Sequence, residues 1–406
     1  MKQRLILVLL TALLMPWSAT AVYRAERPSG LAAFIKNTPR DIENLLVQSL
    51  LEITQGKLDE ALNNIDHVIS AVPNFKLAYL VRGDLLQAKA HQVLSFGAAA
   101  NAPSDEIADL KKEAQVRLEH YLAQTPEQPD VVWQLDSTQK NAIVVDTVKS
   151  RLYLYRNDHG KPTYVADYYV TVGKNGTVKQ KEGDKKTPLG VYFSGIQLDK
   201  EKLPDLYGIA AYPLNYPNEL DKKQGKSGHG IWLHGTPKET FSRPPYASDG
   251  CVVLANVDIE SLAPILKNGN TPIVIFAEKE ASVSATQQRE SLLKAIEQWR
   301  SDWQSKQTET YLSHYAQDFF SEDANSNPMN FEAWAAHKRR VQQDKAAIRV
   351  NLSDISVFRY PNSPKPMVVV NFNQDYQANQ LNNKMRKRQY WTLEQGRWKI
   401  LYEGAA

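Results

Sequence analysis

Two short segments decide the fold of this 406-residue chain: Ile231-Trp232-Leu233-His234-Gly235-Thr236 and Ser248-Asp249-Gly250-Cys251-Val252-Val253. In each, an apolar run typical of a buried strand meets a glycine typical of a flexible turn. His234 and Cys251 therefore lie where a side chain can be held rigidly and still face a substrate. Cys251 is the only cysteine. A thiol reacts as the thiolate, and a neighbouring imidazole is the usual group that generates it near neutral pH. The pattern predicts a cysteine nucleophile that His234 keeps ionised.

The alternative interpretation is structural, because free cysteine is among the most buried residue types and His234 could be a hydrogen-bonded core residue. The N-terminus argues against it. Residues 1–21 have the basic start, the short apolar centre and the small-residue cleavage site of a secretory signal. That apolar centre is too short to span a bilayer alone, and an uncleaved anchor is the alternative. In an oxidising compartment a lone thiol is a liability, so an exported chain that keeps one thiol is expected to use it.

Composition excludes several classes of function. Hydrophobic residues make up 42% and charged residues 23%, as in ordinary globular proteins, and the length suggests two to three domains. A net charge of +4 is too small to indicate nucleic acid as a partner. The one basic run, residues 384–388, is interpreted as a solvated strand face. The chain has no zinc-type spacing, phosphate-cradling glycine loop or dinucleotide fingerprint, so we predict neither a metal nor a cofactor.

The first domain, residues 22–130, is predicted to be helical. Apolar residues recur at helical spacing from residue 41 to about residue 124, with Gly56 and Pro73 ending two of the helices. The small residues Ser49 and Gly83 are 34 positions apart, which resembles one tetratricopeptide unit followed by a decayed partner. Such units usually bind proteins or peptides, so this resemblance implies a cell-wall protein as a partner. A plain helical bundle is the alternative.

The other two domains are predicted from a change of period. Within residues 135–279, apolar residues alternate with a period of two, and one good helix follows the cysteine, which indicates a β-sandwich or barrel. Residues 285–406 begin with helices and end with alternating strands and a Gln395-Gly396 hairpin turn. This order resembles the α+β cone of nuclear-transport-factor-like domains, here as an accessory domain with no obvious catalytic pair.

The central block resembles the L,D-transpeptidase (YkuD-type) catalytic domain. That family has His-Gly, a spacer and then Ser or Thr, any residue, Gly, Cys. Here these are His234-Gly235 and Ser248-Asp249-Gly250-Cys251, and residues 186–190 and 211–217 agree as well. Residues 285–406 also resemble the accessory domain of exported cell-shape L,D-carboxypeptidases. One departure is Val253, because many family members have an arginine two residues after the cysteine that anchors the substrate.

The resemblance implies an enzyme of the Gram-negative periplasm that acts on peptidoglycan stem peptides. Cys251 would attack the carbonyl between meso-diaminopimelate and the terminal D-alanine of a tetrapeptide, with His234 as the general base. The Gly235 carbonyl would accept a hydrogen bond from the other imidazole nitrogen, and N–H groups around Gly250 and Cys251 would bind the oxyanion. Glycine is expected at position 250 to leave room for the acyl group. Ser248 is interpreted equally well as a loop hydroxyl or a substrate contact.

Three further side chains are candidates for substrate binding. Arg243 could replace the missing family arginine, because a guanidinium pairs with a carboxylate in a bidentate way. Tyr246 and Trp232 could lie against the stem peptide, although packing also explains them. His229 precedes His234 by an odd number of residues, which puts the two on opposite faces of a strand, so it is predicted to be a surface histidine.

The sequence leaves the final acceptor open. Transfer to an amine is the predicted reaction, and hydrolysis to a tripeptide is the alternative. A non-catalytic scaffold is a further alternative from another class. A papain-like protease is disfavoured, because in that family the cysteine precedes its histidine by a long interval.

Overall fold

The computed structural model describes residues 39–90, 96–97, 103–123, 130–277, 285–322, 327–343, 345–379 and 381–406. The predicted export signal, residues 1–21, lies outside these ranges. Among the described residues, no helix has both the length and the apolar character needed to cross a bilayer.

Four helices form an N-terminal helical unit: α1 (Pro39–Thr54), α2 (Leu58–Ala71), α3 (Lys76–Lys89) and α4 (Ser104–Leu122). Their apolar faces enclose a core of their own. Ser49 is fully buried in it, and its hydroxyl donates to the Ala61 carbonyl at 2.8 Å, so α1 and α2 pack closely at this small residue. The predicted helical region is confirmed, and its likeness to a tetratricopeptide unit stays a prediction.

The central block is built from short strands and two helices: β1 (Val132–Gln134), β2 (Asn141–Asp146), β3 (Arg151–Asp158), β4 (Lys161–Tyr169), β5 (Val172–Gly173), β6 (Gly190–Phe193), β7 (Ala211–Pro213), α5 (Glu219–Lys223), β8 (Trp232–His234), β9 (Tyr246–Ser248), β10 (Val252–Val253), α6 (Asn256–Leu266) and β11 (Pro272–Phe276). A five-stranded sheet has the order β4-β3-β2-β11-β6, a three-stranded sheet the order β10-β8-β7, and β5 pairs with β9. The predicted β-rich block is confirmed. The short helix α5 is not predicted by the sequence.

The central block has its core between these sheets. Ile143, Val145 and Leu152 project into it from the five-stranded sheet, and Leu233 and Val252 from the three-stranded one. All five side chains are fully buried. Because the three-stranded sheet is fixed on this core, the ends of β8 and β10 are held in place, and these ends carry His234 and Cys251.

The C-terminal block contains α7 (Ala285–Gln304), α8 (Thr308–Leu312), β12 (Tyr315–Glu322), β13 (Pro328–Asn330), α9 (Phe331–Gln343), β14 (Ile348–Arg359), β15 (Met367–Ala378), β16 (Leu381–Glu394) and β17 (Arg397–Ala405). Its strands form a seven-stranded sheet with the order β1-β14-β15-β16-β17-β12-β13. The helices and the sheet share an aromatic core around Trp299 and Trp391. The predicted α+β fold is confirmed. The edge strand β1 precedes the catalytic strands in the chain, so one sheet joins the two blocks.

The basic run 384–388 lies on β16. Lys384 and Met385 are exposed, as a solvated face requires, and the structure corrects this interpretation for Arg386 and Arg388. Arg386 reaches out of the C-terminal sheet to Asp136 at 2.5 Å. Arg388 is buried and pairs with Glu219 of α5 at 2.9 Å. Both arginines therefore join the C-terminal block to the central block. The carboxylates that neutralise the two arginines are far away in the sequence. The sequence alone therefore favours a solvent-exposed basic run.

Candidate active site

His234 ends one strand of the three-stranded sheet, β8, and Cys251 directly precedes the neighbouring strand, β10. The two strands pair in parallel, with Val252 opposite Leu233 and Val253 opposite His234. Side chains alternate along a strand, so His234 and Val253 share one face of the sheet, and Cys251 lies in the bend that leads into β10. The loop between the two candidates, residues 235–250, is called the His–Cys loop below.

The His234 imidazole is buried and oriented by its own backbone neighbour. Its Nδ1 lies 2.6 Å from the Gly235 carbonyl oxygen. The carbonyl can only accept, so Nδ1 carries the proton and Nε2 has a free lone pair. Burial lowers the pKa of His234 to about 4, the hydrogen bond to Gly235 opposes this, and the Arg243 charge adds to it. The ring is therefore neutral at pH 7, as a general base must be before it accepts a proton.

The Cys251 thiol is half-buried and protonated at rest. Its Sγ donates to the Gly230 carbonyl at 3.4 Å. Burial raises the pKa of Cys251 to about 11, while the backbone N–H of Trp232, which points at the sulfur, and the charge of Arg243 oppose this. This direction of the Cys251 pKa does not support the prediction that His234 keeps the sulfur ionised before substrate binds. Both partners are neutral before attack, so the proton has to move as the sulfur attacks.

The turn before Cys251 is held by Ser248. The Ser248 hydroxyl donates to the Cys251 carbonyl at 2.6 Å and accepts from the Gly250 N–H at 3.1 Å. It is buried, which supports the loop role rather than a substrate contact. The Gly250 N–H is therefore engaged within the turn, and oxyanion binding by N–H groups around Gly250 and Cys251 stays a prediction.

Glycine is required at position 250 for a backbone reason. Its φ is +123°, and a Cβ there would lie 2.8 Å from the Lys186 carbonyl oxygen. The predicted reason, space for the acyl group, is not the one the structure shows. Thr187 braces the same turn: its hydroxyl donates to the Gly250 carbonyl at 2.9 Å and accepts from the Gly173 N–H at 2.8 Å. Residues 186–190 are part of the family resemblance in the sequence, but the sequence predicted no role for Thr187.

The structure brings Arg243 to the site. Its Nη2 donates to the Ala247 carbonyl at 2.6 Å within the His–Cys loop. Its charge contributes to the pKa values of both His234 and Cys251, so the guanidinium lies within electrostatic range of both. Val253, in the position of the family arginine, is buried and cannot meet a substrate.

The two aromatic candidates are placed differently. Trp232 is half-buried, and its ring lies 4.6 Å from that of Tyr207. The ring of Tyr246 lies 4.6 Å from the ammonium of Lys112 on α4, so this tyrosine faces the helical unit. His229 is exposed, as predicted, and lies 3.6 Å from Glu182. Within the described ranges, no group of three or more His, Cys, Asp or Glu side chains could hold a metal ion.

Sequence reasoning missed two residues of the site. The Tyr207 ring contacts the His234 imidazole edge-on at 5.1 Å, and the Tyr207 carbonyl accepts from the Gly235 N–H at 3.1 Å. Asn256, the first residue of α6, donates from Nδ2 to the Thr236 carbonyl at 2.8 Å. A Cβ at Gly235 would overlap the Asn256 side chain, so this glycine lets the helix approach the base. In the sequence, an aromatic residue directly before Gly208 is a signal that could have identified Tyr207. No sequence signal identifies Asn256.

Comparisons with known proteins agree with this architecture. A family model of the L,D-transpeptidase catalytic domain matches residues 140–275, and one of the Cds6 C-terminal NTF2-like domain matches residues 291–404. No curated protein matches the chain. The structure of Bd1075 from Bdellovibrio bacteriovorus aligns with a TM-score of 0.59 and 28% identity, covering 68% of this chain and 97% of that one. The helical cell shape determining protein Pgp2 from Campylobacter jejuni aligns with a TM-score of 0.58 and 26% identity, covering 70% of this chain and 98% of that one. The resemblance is thereby confirmed: the chain combines an L,D-transpeptidase catalytic domain with a Cds6-type C-terminal NTF2-like domain.

Proposed function

We propose that this protein cleaves the bond between meso-diaminopimelate and the terminal D-alanine of peptidoglycan tetrapeptide stems, through an acyl-enzyme on Cys251. The observation that supports the proposal is that the only thiol directly precedes β10, and a neutral imidazole ends its partner β8, in a block that matches the L,D-transpeptidase catalytic domain. Such a domain acts on the cell wall, so we also propose an extracytoplasmic, periplasmic location.

The proton path follows from the resting protonation states. As Sγ of Cys251 attacks the carbonyl carbon, Nε2 of His234 takes the thiol proton. The positive charge that forms on the ring is stabilised by the hydrogen bond from Nδ1 to the Gly235 carbonyl. When the tetrahedral intermediate collapses, the carbon–nitrogen bond breaks and the same proton goes to the departing amine of D-alanine. The acyl group remains on the sulfur as a thioester.

Arg243 is the proposed partner of a substrate carboxylate. A guanidinium carries five N–H donors, and the contact with the Ala247 carbonyl uses one of them. It can therefore pair with a carboxylate of the stem while it keeps its place in the loop. Trp232 and Tyr246 stay candidate contacts of the same substrate.

The acceptor of the acyl group defines the reaction. An amine of a second stem gives a cross-link, which is the reaction predicted from the family. Water gives a tripeptide, and one observation supports this second candidate: Pgp2, which aligns over 98% of its length, is a helical cell shape determining protein, and the C-terminal block resembles that of exported cell-shape L,D-carboxypeptidases. We propose a role in cell shape on the same ground.

Product analysis tests the proposal. Full-length protein is incubated with disaccharide-tetrapeptide, and the products are identified by mass spectrometry, with Cys251→Ala as the control. We expect release of D-alanine that needs Cys251. A dimeric product identifies transfer, and tripeptide alone identifies hydrolysis. No Cys251-dependent product from folded protein would contradict the proposed function.

A further inference from the structure

The His–Cys loop is anchored in the helical unit. The Phe241 ring lies 4.8 Å from Phe75 and packs on the apolar core of the helices. The Phe241 N–H donates to the Asn74 carbonyl at 3.2 Å, and Asn74 Nδ2 donates to the Lys238 carbonyl at 2.8 Å. The turn between α2 and α3 therefore holds the first half of the loop with one aromatic contact and two hydrogen bonds.

Helix α4 holds the next residues of the loop. The Ser242 hydroxyl donates to Glu113 Oε1 at 2.6 Å, and Glu113 forms a buried ion pair with Arg117 at 2.8 Å. The Arg117 guanidinium lies over the Tyr169 ring at 3.7 Å. The Tyr169 hydroxyl in turn donates to the Arg243 carbonyl at 2.9 Å. The main chain of Arg243 is thus fixed between a strand of the catalytic domain and a loop residue bound to α4.

The side chain of Arg243 reaches along the loop toward the turn that carries Cys251. Its Nη2 hydrogen-bonds the Ala247 carbonyl at 2.6 Å, and its positive charge opposes the rise in the pKa of Cys251. The anchors on the helical unit precede it directly in the chain, at positions 241 and 242. A shift of these anchors would be passed to the guanidinium through one or two peptide units.

We propose that the helical unit is a positioning element of the catalytic centre, which holds the Arg243 guanidinium beside Cys251 so that it pairs with the carboxylate of an incoming ligand. Phe241, Ser242 and Glu113 are positioning residues that act through Arg243. The inference rests on the proposed function only in taking the Cys251 sulfur as the reacting atom. It assigns the helical unit a role at the active site that is independent of any protein partner.

The test uses two small alkylating reagents that differ in charge. Iodoacetate is an anion and iodoacetamide is neutral, and both react with the same Cys251 thiolate. The ratio of their rates therefore cancels the thiol pKa and reports the local cation. No other cysteine contributes, because Cys251 is the only one in the chain. Rates are measured on folded full-length protein by intact mass.

We expect Arg243→Gln to lower the iodoacetate-to-iodoacetamide ratio by roughly 3- to 10-fold, as loss of a partly screened charge near the thiol would. Phe241→Ala and Ser242→Ala should lower it by about 2- to 5-fold. The matched control is His120→Gln. His120 on α4 contacts Asp167 at 2.8 Å, outside the His–Cys loop, so this variant should leave the ratio unchanged.

Three results would overturn the inference: an unchanged ratio in Arg243→Gln, an unchanged ratio in both anchor variants, or an equal fall in His120→Gln. Ser242→Ala removes a single hydroxyl, so it keeps the test valid if Phe241→Ala does not fold. The assay needs no peptidoglycan. If the alkylation ratios are as expected but no D-alanine is released, the inference stands and the proposed function is rejected. If D-alanine is released but the ratios are not as expected, the proposed function stands and the inference is rejected.

Discussion

The two flanking units are attached to the catalytic domain in different ways. The C-terminal domain shares a β-sheet with it through β1 and β14, and Arg388 and Tyr390 both hydrogen-bond Glu219 of α5. The helical unit shares no strand with the catalytic domain in the described ranges, and it contacts this domain through side chains. Its contacts include a buried charge cluster and the His–Cys loop, whereas β14, Arg388 and Tyr390 of the C-terminal domain contact residues outside that loop.

This difference suggests separate roles for the two attachments. A shared sheet fixes the C-terminal domain through main-chain hydrogen bonds, which resist small movements. Side-chain contacts can shift with a single substitution, and those of the helical unit end directly beside Arg243. We therefore expect damage to the helical interface to change both stability and thiol chemistry. Damage to the C-terminal interface should change stability alone.

The largest effect is expected at Arg117. Its side chain is 3% exposed and pairs with Glu43 at 2.7 Å and Glu113 at 2.8 Å. Arg117→Met leaves Glu113 buried without its cation, so we expect a loss of about 3 to 5 kcal/mol in the free energy of unfolding, measured by urea denaturation. The alkylation ratio should fall as well.

The loss at Arg117 should also depend on pH, because burial already raises the pKa of Glu113. Protonation of Glu113 removes its unpaired charge, so the variant should lose less stability at pH 5 than at pH 8. The double variant Arg117→Met/Glu113→Gln should recover part of the loss. Equal losses in the single and double variants would show that the charge cluster is not the cause.

Arg388 provides the counterpart at the C-terminal interface. It pairs with Glu219 at 2.9 Å and donates to Asn371 at 2.9 Å. Arg388→Met should lower the free energy of unfolding by about 2 to 4 kcal/mol. The alkylation ratio at Cys251 should stay at the wild-type value. A fall in this ratio equal to that of Arg117→Met would remove the distinction between the two interfaces.

A smaller, pH-dependent effect is expected at Asp258 on α6. Burial raises its pKa from 3.8 to about 7, the nearby Glu43 adds to this, and Arg117 and Arg151 oppose it. The folded protein thus keeps a proton that the unfolded chain has released above about pH 4. The contribution of Asp258 to the free energy of unfolding therefore falls as the pH rises from about 4 to about 7, and then levels off.

Asp258→Asn removes this pH dependence. Relative to wild type, the variant should gain about 1 to 3 kcal/mol in unfolding free energy between pH 5 and pH 8. Urea denaturation at the two pH values measures this gain. Parallel pH dependence in the two proteins would show that Asp258 does not titrate in this range.

The features that follow local patterns were predictable from the sequence. Period-two alternation located β2 and β3, helical spacing located α1 to α3, and the His-Gly and Ser-x-Gly-Cys motifs located the candidate pair. The protonation state of Cys251 was not predictable. It depends on how far the folded protein buries the thiol, and no local pattern encodes that burial.

Contacts between distant residues were the other gap. Ser242 binds Glu113, which is 129 positions away, and Arg388 binds Glu219, which is 169 positions away. Each partner alone reads as an ordinary surface residue. A single sequence shows neither pairing, so the role of the helical unit at the His–Cys loop appears only in the structure.

Intact-mass analysis of the protein after brief mixing with tetrapeptide stems tests most directly whether Cys251 and His234 act as nucleophile and base. We predict a thioester adduct on wild-type protein, no adduct on Cys251→Ala, and acylation at least about 100-fold slower in folded His234→Ala. Acylation of His234→Ala at the wild-type rate, or an adduct that persists in Cys251→Ala, would contradict the account.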